Sequence, residues 1–419
     1  MDKLEVLGAK KLKGQIRVSG SKNASLPILA ATILSNKKIN LTNLPQVKDI
    51  ETMLKLLQSI GSELKLSKNR SSVSILNNNK IKTLAPYGLV KTMRAGILVL
   101  GPMIARFGSA KVSLPGGCSI GTRPIDIHLK ALSKLGVKHT IREGYVYATA
   151  KRKLKGAKIK FPKISVGATE NLIIACCMAD GVSTLSNCAI EPEIKDLVKF
   201  INQMGGKIKW IGKRTIRIYG VNKFKNVRYK IMPDRIEAGT YMIVAAATGG
   251  KLKIKGIDPK IIRTEIDILK KVGTKIELYK NEIIVSGSKK INSINIKTAP
   301  YPGFPTDLQA QLMVLLCKAK KHSIITEEIF ENRFMHVGEL NRMGAKIIIK
   351  GNKAIIRGNT NFIGAQLMAT DLRASVSLII AALASKGKSI INRIYHLDRG
   401  YEKIEKKLRN IGAKIKRIS

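Results

Sequence analysis

One cysteine lies in a glycine-rich segment of this sequence, "LPGGCSIGTRP" at residues 114–124. Glycine permits backbone conformations that other residues avoid, so Cys118 stands on a segment suited to a movable loop. A thiol can act as a nucleophile or as an acid, and a nearby cation such as Arg123 favours its thiolate. A glycine-rich turn with an incidental cysteine has the same pattern, but the density of Gly, Cys, Arg and Pro favours a reactive site.

Two further basic motifs could bind an anion. In "SGSKNAS" (19–25), Lys22 and Asn23 open a predicted helix, and backbone N–H groups there, together with a lysine, suit a phosphate or carboxylate. A lysine with a purely structural role at a helix start would give the same sequence pattern.

In "TMRAGI" (92–97), Arg94 lies in an otherwise apolar predicted helix. A buried arginine needs an anionic partner, which is either an internal carboxylate or a ligand.

Acidic and basic side chains recur together in the second half of the chain. In "YPGFPTDLQAQ" (301–311), Thr306 and Asp307 follow Pro305 at a predicted helix start, where Asp is either an N-cap or a catalytic base. Three other motifs, "FENRFMH", "ATDLRAS" and "HLDRGYEK", supply Arg333, Asp371, Arg373, Asp398 and Arg399. Together with Lys22, Arg94 and Arg123, these arginines would bind a small anion with several charges.

Six similar segments recur along the chain and must position these residues. Each has a glycine followed by a β-rich run, as in "KVGTKIEL" (271–278) and "NIGAKIKR" (410–417). The six glycines, spaced 68 to 75 residues apart, are Gly61, Gly136, Gly205, Gly273, Gly344 and Gly412. Each follows an amphipathic stretch, at the position of a helix C-cap. The regular spacing predicts six copies of one structural repeat.

The predicted repeat consists of helix, strand, helix, strand and strand. "KIIIKGNKAIIRG" (346–358) has the pattern of a β-hairpin, and small-residue helices such as "ASLPILAATIL" (24–34) precede a strand. The sixth repeat reaches residue 419 with one strand of its hairpin, and we expect "GQIRVSG" (14–20) to supply the partner.

Length and repeat number together predict two domains, because 419 residues exceed one ordinary core. We expect repeats one to three to form a first domain at 22–231. Repeats four to six, with the N-terminal strand, form a second domain at 1–21 plus 232–419. The predicted fold class is therefore α/β, with βαβαββ-type repeats, and ligand sites favour the cleft between such domains.

The composition excludes several classes of protein. The formal net charge is +48, but the lysines are spread evenly, which favours compositional bias on solvated surfaces over a nucleic-acid-binding face. Such a field would still attract anionic substrates. The five cysteines form no CxxC pair, and no metal-ligand spacing appears. The apolar runs are shorter than a membrane span, and no signal peptide is visible, so we expect a cytoplasmic protein without membrane insertion.

In order along the chain, these motifs resemble those of the UDP-N-acetylglucosamine enolpyruvyl transferases (1-carboxyvinyltransferases), which are EPSP synthase-like. The matching motifs are "SGSKNA", "LPGGC.IG.RP.D.H", "SVGAT", "EPEI.D", "FPTD.QAQ", "FENRFMH", "ATDLRAS" and "YH.DRGYE". The resemblance covers essentially all 419 residues and implies two inside-out α/β barrel domains built from six repeats. Gly338 stands where many relatives have proline, which puts no site residue in doubt.

The resemblance also implies the reaction and its residues. The enolpyruvyl group of phosphoenolpyruvate passes to the 3′-hydroxyl of UDP-N-acetylglucosamine and phosphate is released, without a metal or organic cofactor, in the first committed step of peptidoglycan synthesis. Cys118 is the implied general acid, the site of a covalent phosphoenolpyruvate adduct and the target of fosfomycin; Asp307 is our choice of general base. The phosphoenolpyruvate-binding residues are Lys22, Asn23, Arg123, Arg373 and Arg399, and Lys22 and Arg399 are also expected to be catalytic, as cations that stabilise the departing phosphate. The residues expected at UDP-N-acetylglucosamine are Arg94, Arg123, Pro124, Ile125, Asp126, Ile127, Lys163, Ser165, Val166, Gly167, Asp307 and Ile329.

Two alternatives remain from the sequence. The sister transferase that acts on shikimate 3-phosphate shares the fold and the enolpyruvyl donor, but that family lacks the loop cysteine in its "PGGC" setting. A basic nucleic-acid-binding repeat protein would explain the charge, but aromatic residues are not interleaved with the lysines as such a surface requires. No pattern in the sequence indicates an oligomeric state.

Overall fold

The chain forms two compact units. The structure, a computed structural model, describes residues 2–8, 11–78, 81–116 and 125–418. The first unit contains residues 20–78, 81–116 and 125–232, and the second unit contains residues 2–8, 11–19 and 233–418. The predicted domain limits, 22–231 and 1–21 plus 232–419, stay a prediction.

The strands of the described residues are short, and most have three to five residues. They are β1 Lys3–Leu7, β2 Lys13–Arg17, β3 Ile39–Thr42, β4 Glu63–Leu66, β5 Ser72–Leu76, β6 Leu84–Ala85, β7 Ser109–Ser113, β8 Lys138–Arg142, β9 Tyr145–Thr149, β10 Lys158–Lys160, β11 Val182–Ser186, β12 Lys207–Gly212, β13 Thr215–Tyr219, β14 Val227–Lys230, β15 Lys251–Lys255, β16 Lys275–Tyr279, β17 Glu282–Ser286, β18 Asn295–Lys297, β19 Ser323–Thr326, β20 Lys346–Lys350, β21 Lys353–Arg357, β22 Gln366–Met368, β23 Lys388–Asn392 and β24 Lys414–Ile418.

The helices alternate with these strands. They are α1 Lys22–Ala31, α2 Lys48–Ser59, α3 Tyr87–Val90, α4 Leu100–Phe107, α5 Asp126–Ser133, α6 Val166–Cys176, α7 Pro192–Gln203, α8 Arg235–Thr248, α9 Arg263–Lys271, α10 Gln309–Cys317, α11 Val337–Arg342, α12 Leu372–Leu383 and α13 Ile404–Arg409. Short 3-10 helices add Thr32–Leu34, Arg94–Val99, Pro259–Ile262, Thr306–Leu308 and Ile394–Arg399.

The described strands form six four-stranded sheets with one common pattern. In the order β14-β3-β5-β4, for example, the first pair is parallel and the other two pairs are antiparallel. The same pattern recurs in the other five sheets. The predicted α/β fold of six repeats is therefore confirmed, including the β20–β21 hairpin at 346–357.

The six repeat glycines share one backbone conformation. Their φ angles lie between +94° and +108°, at the end of the second helix of each repeat. A side chain is strained in this left-handed region, so glycine ends each helix and turns the chain into the following strand. The sequence interpretation of these glycines as helix ends is confirmed.

The pairing predicted for the N-terminus is wrong in its segment. Strand β1, at 3–7, lies between β23 and β24 and completes the last hairpin. Strand β2, which overlaps the predicted partner segment at residues 14–17, instead pairs in parallel with β15. Its role matches that of β14, since β14 pairs in parallel with β3 of the other unit in the same way. The two strands follow one another closely and their partners lie far along the chain, so local sequence does not decide which of them completes the last hairpin.

Each unit has its own apolar core of buried helices. Helices α8, α10 and α12 contact one another in the second unit, and nearly all their residues are buried. In the first unit, α6 contacts α1, α4, α5 and α7. The sheets bury alternate residues against these helices and expose the others, as in Lys251–Lys255. Within the part of the chain that the structure describes, no helix is both long and apolar enough to span a bilayer.

Candidate active site

Lys22 is the first residue of α1 and is held by a buried carboxylate. Ser21 caps the helix, with its hydroxyl accepting from the Ala24 backbone N–H at 3.2 Å. The Lys22 Nζ lies 3.2 Å from Asp49 Oδ2, and the two side chains are only 12% and 7% exposed. Asn23, the next residue, is half-buried. The sequence predictions missed Asp49, because an acidic residue in the first turn of α2 is explained by the helix dipole alone.

The backbone before Lys22 requires a glycine. A Cβ on Gly20 would lie 1.7 Å from the backbone oxygen of Asn43, closer than any side chain can approach. The N–H of the next residue, Ser21, donates to the Met232 carbonyl at 2.8 Å. These contacts fix the direction in which α1, and therefore Lys22, begins.

Arg94 is the first residue of a 3-10 helix. The sequence had predicted a position inside an apolar helix. The α-helical part starts later, at Leu100, so Arg94 is half-buried at the end of the apolar segment. This position lets its charged group reach a polar environment while the residues after it, Gly96 to Ala105, are buried.

A buried histidine lies near Arg94. His128 accepts a hydrogen bond from the Asn171 amide at 3.1 Å, while the same amide nitrogen donates to the Ile97 carbonyl at 3.2 Å. Asn171 Oδ1 accepts from the Gly101 backbone N–H at 2.7 Å. Burial, and secondly the positive charge of Arg94, lowers the pKa of His128 to about 4. The His128 ring is therefore neutral at pH 7. Through Asn171 it connects α5 to α6 and to the 3-10 helix that begins at Arg94.

Several predicted nucleotide-sugar residues lie at the starts of α5 and α6. Ile125 and Ile127 are buried, whereas Asp126 is exposed and lies 3.9 Å from Lys130. Ser165 caps α6 through a 3.3 Å bond from the Ala168 N–H, and a Cβ on Gly167 would touch the His128 ring at 3.4 Å. The structure therefore brings the start of α6 next to α5. Lys163 and Val166 are exposed.

Three predicted residues, Cys118, Arg123 and Pro124, lie outside the described residues. The other four cysteines are buried, as expected for Cys176 and Cys177 in their apolar helix. Burial raises the pKa of Cys176 to about 12, so its thiol is not a thiolate at neutral pH.

Asp307 does not cap a helix but binds two arginines. It lies in the 3-10 helix Thr306–Leu308, which has no side-chain cap. Its Oδ1 accepts from Arg333 Nη2 at 2.9 Å, and its Oδ2 accepts from Arg373 Nη2 at 2.6 Å. Both arginine side chains are at most 6% exposed, whereas Asp307 is 27% exposed. A partly accessible carboxylate thus lies between two buried cations.

Arg373 is placed by the start of α12. The Asp371 carboxylate caps this helix and accepts from the N–H groups of Arg373 and Ala374 at 2.8 and 3.1 Å. Burial alone lowers the pKa of Arg373, but the Asp307 charge and the Asp307 hydrogen bond outweigh it, so the pKa is raised. Arg373 is therefore a permanent cation beside Asp307. The predicted candidate Asp371 is a helix cap.

Glu327 joins the segment of Asp307 to the segment of Ile329. Its two carboxylate oxygens accept from the hydroxyl groups of Thr298 and Thr306, both at 2.9 Å. The Ile329 backbone N–H donates to Oε1 of the same carboxylate at 2.9 Å. Thr306 directly precedes Asp307, so the half-buried Ile329 is tied to the same corner of the second unit. The sequence predictions did not include Glu327.

Arg399 ends the 3-10 helix Ile394–Arg399 and is half-buried. Two residues later, the buried Tyr401 accepts a 3.2 Å hydrogen bond from Arg373 Nη1. The neighbouring Asp398 forms an ion pair instead, because both its oxygens bind Arg417, at 2.7 and 3.0 Å. The structure thus ties the segment of Arg399 to the Arg373–Asp307 pair, and it assigns Asp398 to an ion pair with the C-terminal strand.

This arrangement favours chemistry on an anion and a hydroxyl group. Preorganised guanidinium groups with little access to water stabilise negative charge strongly. A carboxylate whose orientation they fix can accept a hydrogen bond, and then a proton, from a substrate hydroxyl. In the other unit, a nearly buried lysine at a helix start suits a phosphate or carboxylate.

Curated relatives match the chain from end to end. It is 73% identical over 419 residues to UDP-N-acetylglucosamine 1-carboxyvinyltransferase of Pelagibacter ubique, and 51% identical to the protein of that name from Trichlorobacter lovleyi. Both alignments cover 100% of each chain.

Solved structures share the fold at low sequence identity. The enolpyruvyl transferase NikO from Streptomyces tendae has a TM-score of 0.91 at 23% identity and covers 99% of this chain and 98% of its own. EPSP synthase from Acinetobacter baumannii has a TM-score of 0.76 at 19% identity, with full coverage of both chains. The family model of EPSP synthase (3-phosphoshikimate 1-carboxyvinyltransferase) matches residues 6–408. The resemblance predicted from the motifs is therefore confirmed, and the chain belongs to the EPSP synthase family of enolpyruvyl transferases.

Proposed function

We propose that this protein transfers the enolpyruvyl group of phosphoenolpyruvate to the 3′-hydroxyl of UDP-N-acetylglucosamine and releases phosphate. The observation that carries the proposal is the 73% identity, over the whole of both chains, to a relative named for this activity. The arrangement of Asp307 between Arg333 and Arg373 supports it, because the reaction needs an acceptor for a hydroxyl proton next to cations.

The proposed reaction is an addition followed by an elimination. The sugar 3′-oxygen bonds to C2 of phosphoenolpyruvate, its proton passes to Asp307, and C3 receives a proton from Cys118. The C2–O bond to phosphate then breaks, and C3 returns a proton so that the enol ether forms. The two guanidinium groups at Asp307 fix the carboxylate so that its remaining lone pairs can accept from the sugar hydroxyl.

Four cations are proposed to bind phosphoenolpyruvate, namely Lys22, Arg123, Arg373 and Arg399, together with Asn23. Lys22 is suited to this task because Asp49 limits its conformations at the start of α1. A guanidinium group has five N–H donors, so the bonds of Arg373 to Asp307 and Tyr401 are compatible with donation to the substrate as well.

UDP-N-acetylglucosamine is proposed to bind residues at several helix starts and at Asp307. The set is Arg94, Arg123 to Ile127, Lys163, Ser165 to Gly167, Asp307 and Ile329. His128 supports part of this set, since a Cβ on Gly167 would lie 3.4 Å from its ring and His128 follows Ile127 directly. We propose that the protein acts in the cytoplasm, at the start of peptidoglycan synthesis and hence of cell-wall growth and division.

The description of the matching family model favours one second candidate, transfer to shikimate 3-phosphate. Phosphate release from phosphoenolpyruvate separates the two activities when it is measured with UDP-N-acetylglucosamine, with shikimate 3-phosphate, and with neither acceptor. We expect phosphate release only when UDP-N-acetylglucosamine is the acceptor. Release with shikimate 3-phosphate but not with the sugar nucleotide would reverse the assignment, and release with neither would remove both.

A further inference from the structure

We propose that Tyr401 is a positioning residue whose hydroxyl group orients Arg373 and, through it, the Asp307 carboxylate. The inference rests on the proposed function, in which Asp307 accepts the proton of the sugar hydroxyl. It concerns a residue that touches neither substrate and acts through Arg373.

The Tyr401 hydroxyl is buried among three polar groups of the second unit. The residue is 2% exposed. Its oxygen lies 2.8 Å from Thr240 Oγ1, 3.2 Å from Arg373 Nη1 and 3.3 Å from Gln311 Nε2. The Arg373 guanidinium carbon also lies 5.6 Å from the centre of the Tyr401 ring, within the range of a cation–π contact.

The direction of each hydrogen bond follows from the donors available. Thr240 donates its only hydroxyl proton to the Ile236 carbonyl at 2.8 Å, so its oxygen must accept from Tyr401. The tyrosine oxygen then has two lone pairs, and Arg373 and Gln311 each donate to one. The hydroxyl of Tyr401 therefore cannot rotate without losing a bond, and the guanidinium group that it holds is fixed with it.

Both the side chain and the backbone of Asp307 are connected to this hydroxyl. Arg373 holds Tyr401 through Nη1 and the Asp307 Oδ2 through Nη2, the latter at 2.6 Å. Gln311 Nε2 donates to the Asp307 backbone oxygen at 2.8 Å and also reaches Tyr401. One hydroxyl group thus completes two connections to Asp307, which is more than the packing of a buried ring requires.

The test compares Tyr401→Phe with Tyr241→Phe. Each change removes one buried hydroxyl and keeps the ring, but the Tyr241 hydroxyl donates to Glu237 at 3.2 Å, whereas the Tyr401 hydroxyl accepts from Arg373 and Gln311. We expect Tyr401→Phe to lower kcat roughly 10- to 100-fold and to change the KM for UDP-N-acetylglucosamine less than about threefold. The acidic limb of the kcat–pH profile should move to higher pH, because the Asp307 carboxylate is less stabilised when Tyr401 no longer holds Arg373 beside it.

Tyr241→Phe should leave kcat and the acidic limb unchanged. Equal effects of the two variants, or an unshifted limb in Tyr401→Phe, would overturn the proposal. If Tyr401→Phe does not fold, Thr240→Val, which removes the acceptor of the Tyr401 proton, must produce the same shift of the limb on a smaller scale. An unshifted limb in that variant also overturns it.

Two controls separate this inference from the proposed function. The wild-type protein is first assayed for phosphate release with and without UDP-N-acetylglucosamine, and the absence of any dependence refutes the function. A crystal structure of Tyr401→Phe needs no activity. We expect Arg373 to have moved beyond hydrogen-bond distance of Asp307 Oδ2, and an unchanged Arg373–Asp307 bond refutes the role of Tyr401.

Discussion

Arg373 donates to the Asp307 carboxylate at 2.6 Å, although the two residues are 66 positions apart in the sequence. With Arg333 on the other oxygen, both carboxylate oxygens of Asp307 bind cations. Loss of the carboxylate would leave two buried positive charges with less compensation, which is costly in a protein interior. The stability of Asp307 variants must therefore be measured together with their reaction rate.

We expect Asp307→Asn to lower kcat roughly 10²- to 10⁴-fold, because the amide cannot accept a proton. The dissociation constant for UDP-N-acetylglucosamine, measured by calorimetry, should change less than about tenfold, which corresponds to about 1.4 kcal/mol. Glu265→Gln is the control, since it removes a carboxylate that also binds a buried arginine, Arg235, at 3.2 Å. Near-wild-type turnover of Asp307→Asn would rule out Asp307 as the base.

Asp49→Asn should raise the KM for phosphoenolpyruvate roughly tenfold, because Lys22 loses the carboxylate that orients it. Steady-state kinetics with phosphoenolpyruvate as the varied substrate measure the effect. Glu51→Gln is the control on the same helix turn, since Glu51 binds Lys48 at the surface. If the two variants behave alike, Asp49 has no special role.

Cys118→Asp should keep activity and lose inactivation by fosfomycin, because a carboxyl group can supply a proton but does not open the epoxide as the thiolate does. Residual activity after incubation with the drug is the measurement. In the wild-type protein, peptide mapping should find the adduct on Cys118 alone, and the buried Cys176, Cys177, Cys188 and Cys317 serve as internal controls. Persistent inactivation of the variant would disprove the assignment.

His128 should make the protein less stable in weak acid. Its folded-state pKa is about 4 and its unfolded-state pKa is 6.5, so between these values the unfolded chain binds more protons. The free energy of unfolding therefore falls as the pH falls from 6.5 towards 4, by up to about 3 kcal/mol from this group.

Urea unfolding of wild type and His128→Gln at several pH values measures this contribution. The variant should lose less stability than wild type between pH 6.5 and 4, whereas His322→Gln, at an exposed histidine, should follow wild type. Parallel curves for wild type and His128→Gln would contradict the lowered pKa.

The sequence predicted the repeats well because their signal is local. A helix end, a left-handed glycine and a hairpin are each decided within about ten residues, and all six glycines have the expected conformation. The N-terminal pairing was wrong because the partners of β1 and β2 are far away in the chain, so local sequence does not assign them.

The motifs identified the candidate residues, but they did not show which of these residues contact one another. Asp307, Arg333 and Arg373 were each named, yet only the fold brings the three together. Asp49 and Tyr401 were missed because each has an ordinary explanation in its own segment, one as an acid at a helix start and the other as a buried aromatic residue. Their roles depend on partners that lie on other elements.

The position of β1 has a consequence for synthesis on the ribosome. Strand β1 is made long before its two neighbours, β23 and β24, which comprise residues 388–392 and 414–418. The described residues of the first unit all lie between 20 and 232, so this unit can fold while the second is still being translated, as domains generally do. The sheet of β1 cannot form until β23 and β24 have been translated, so a nascent chain halted before β23 leaves both edges of β1 without these partners.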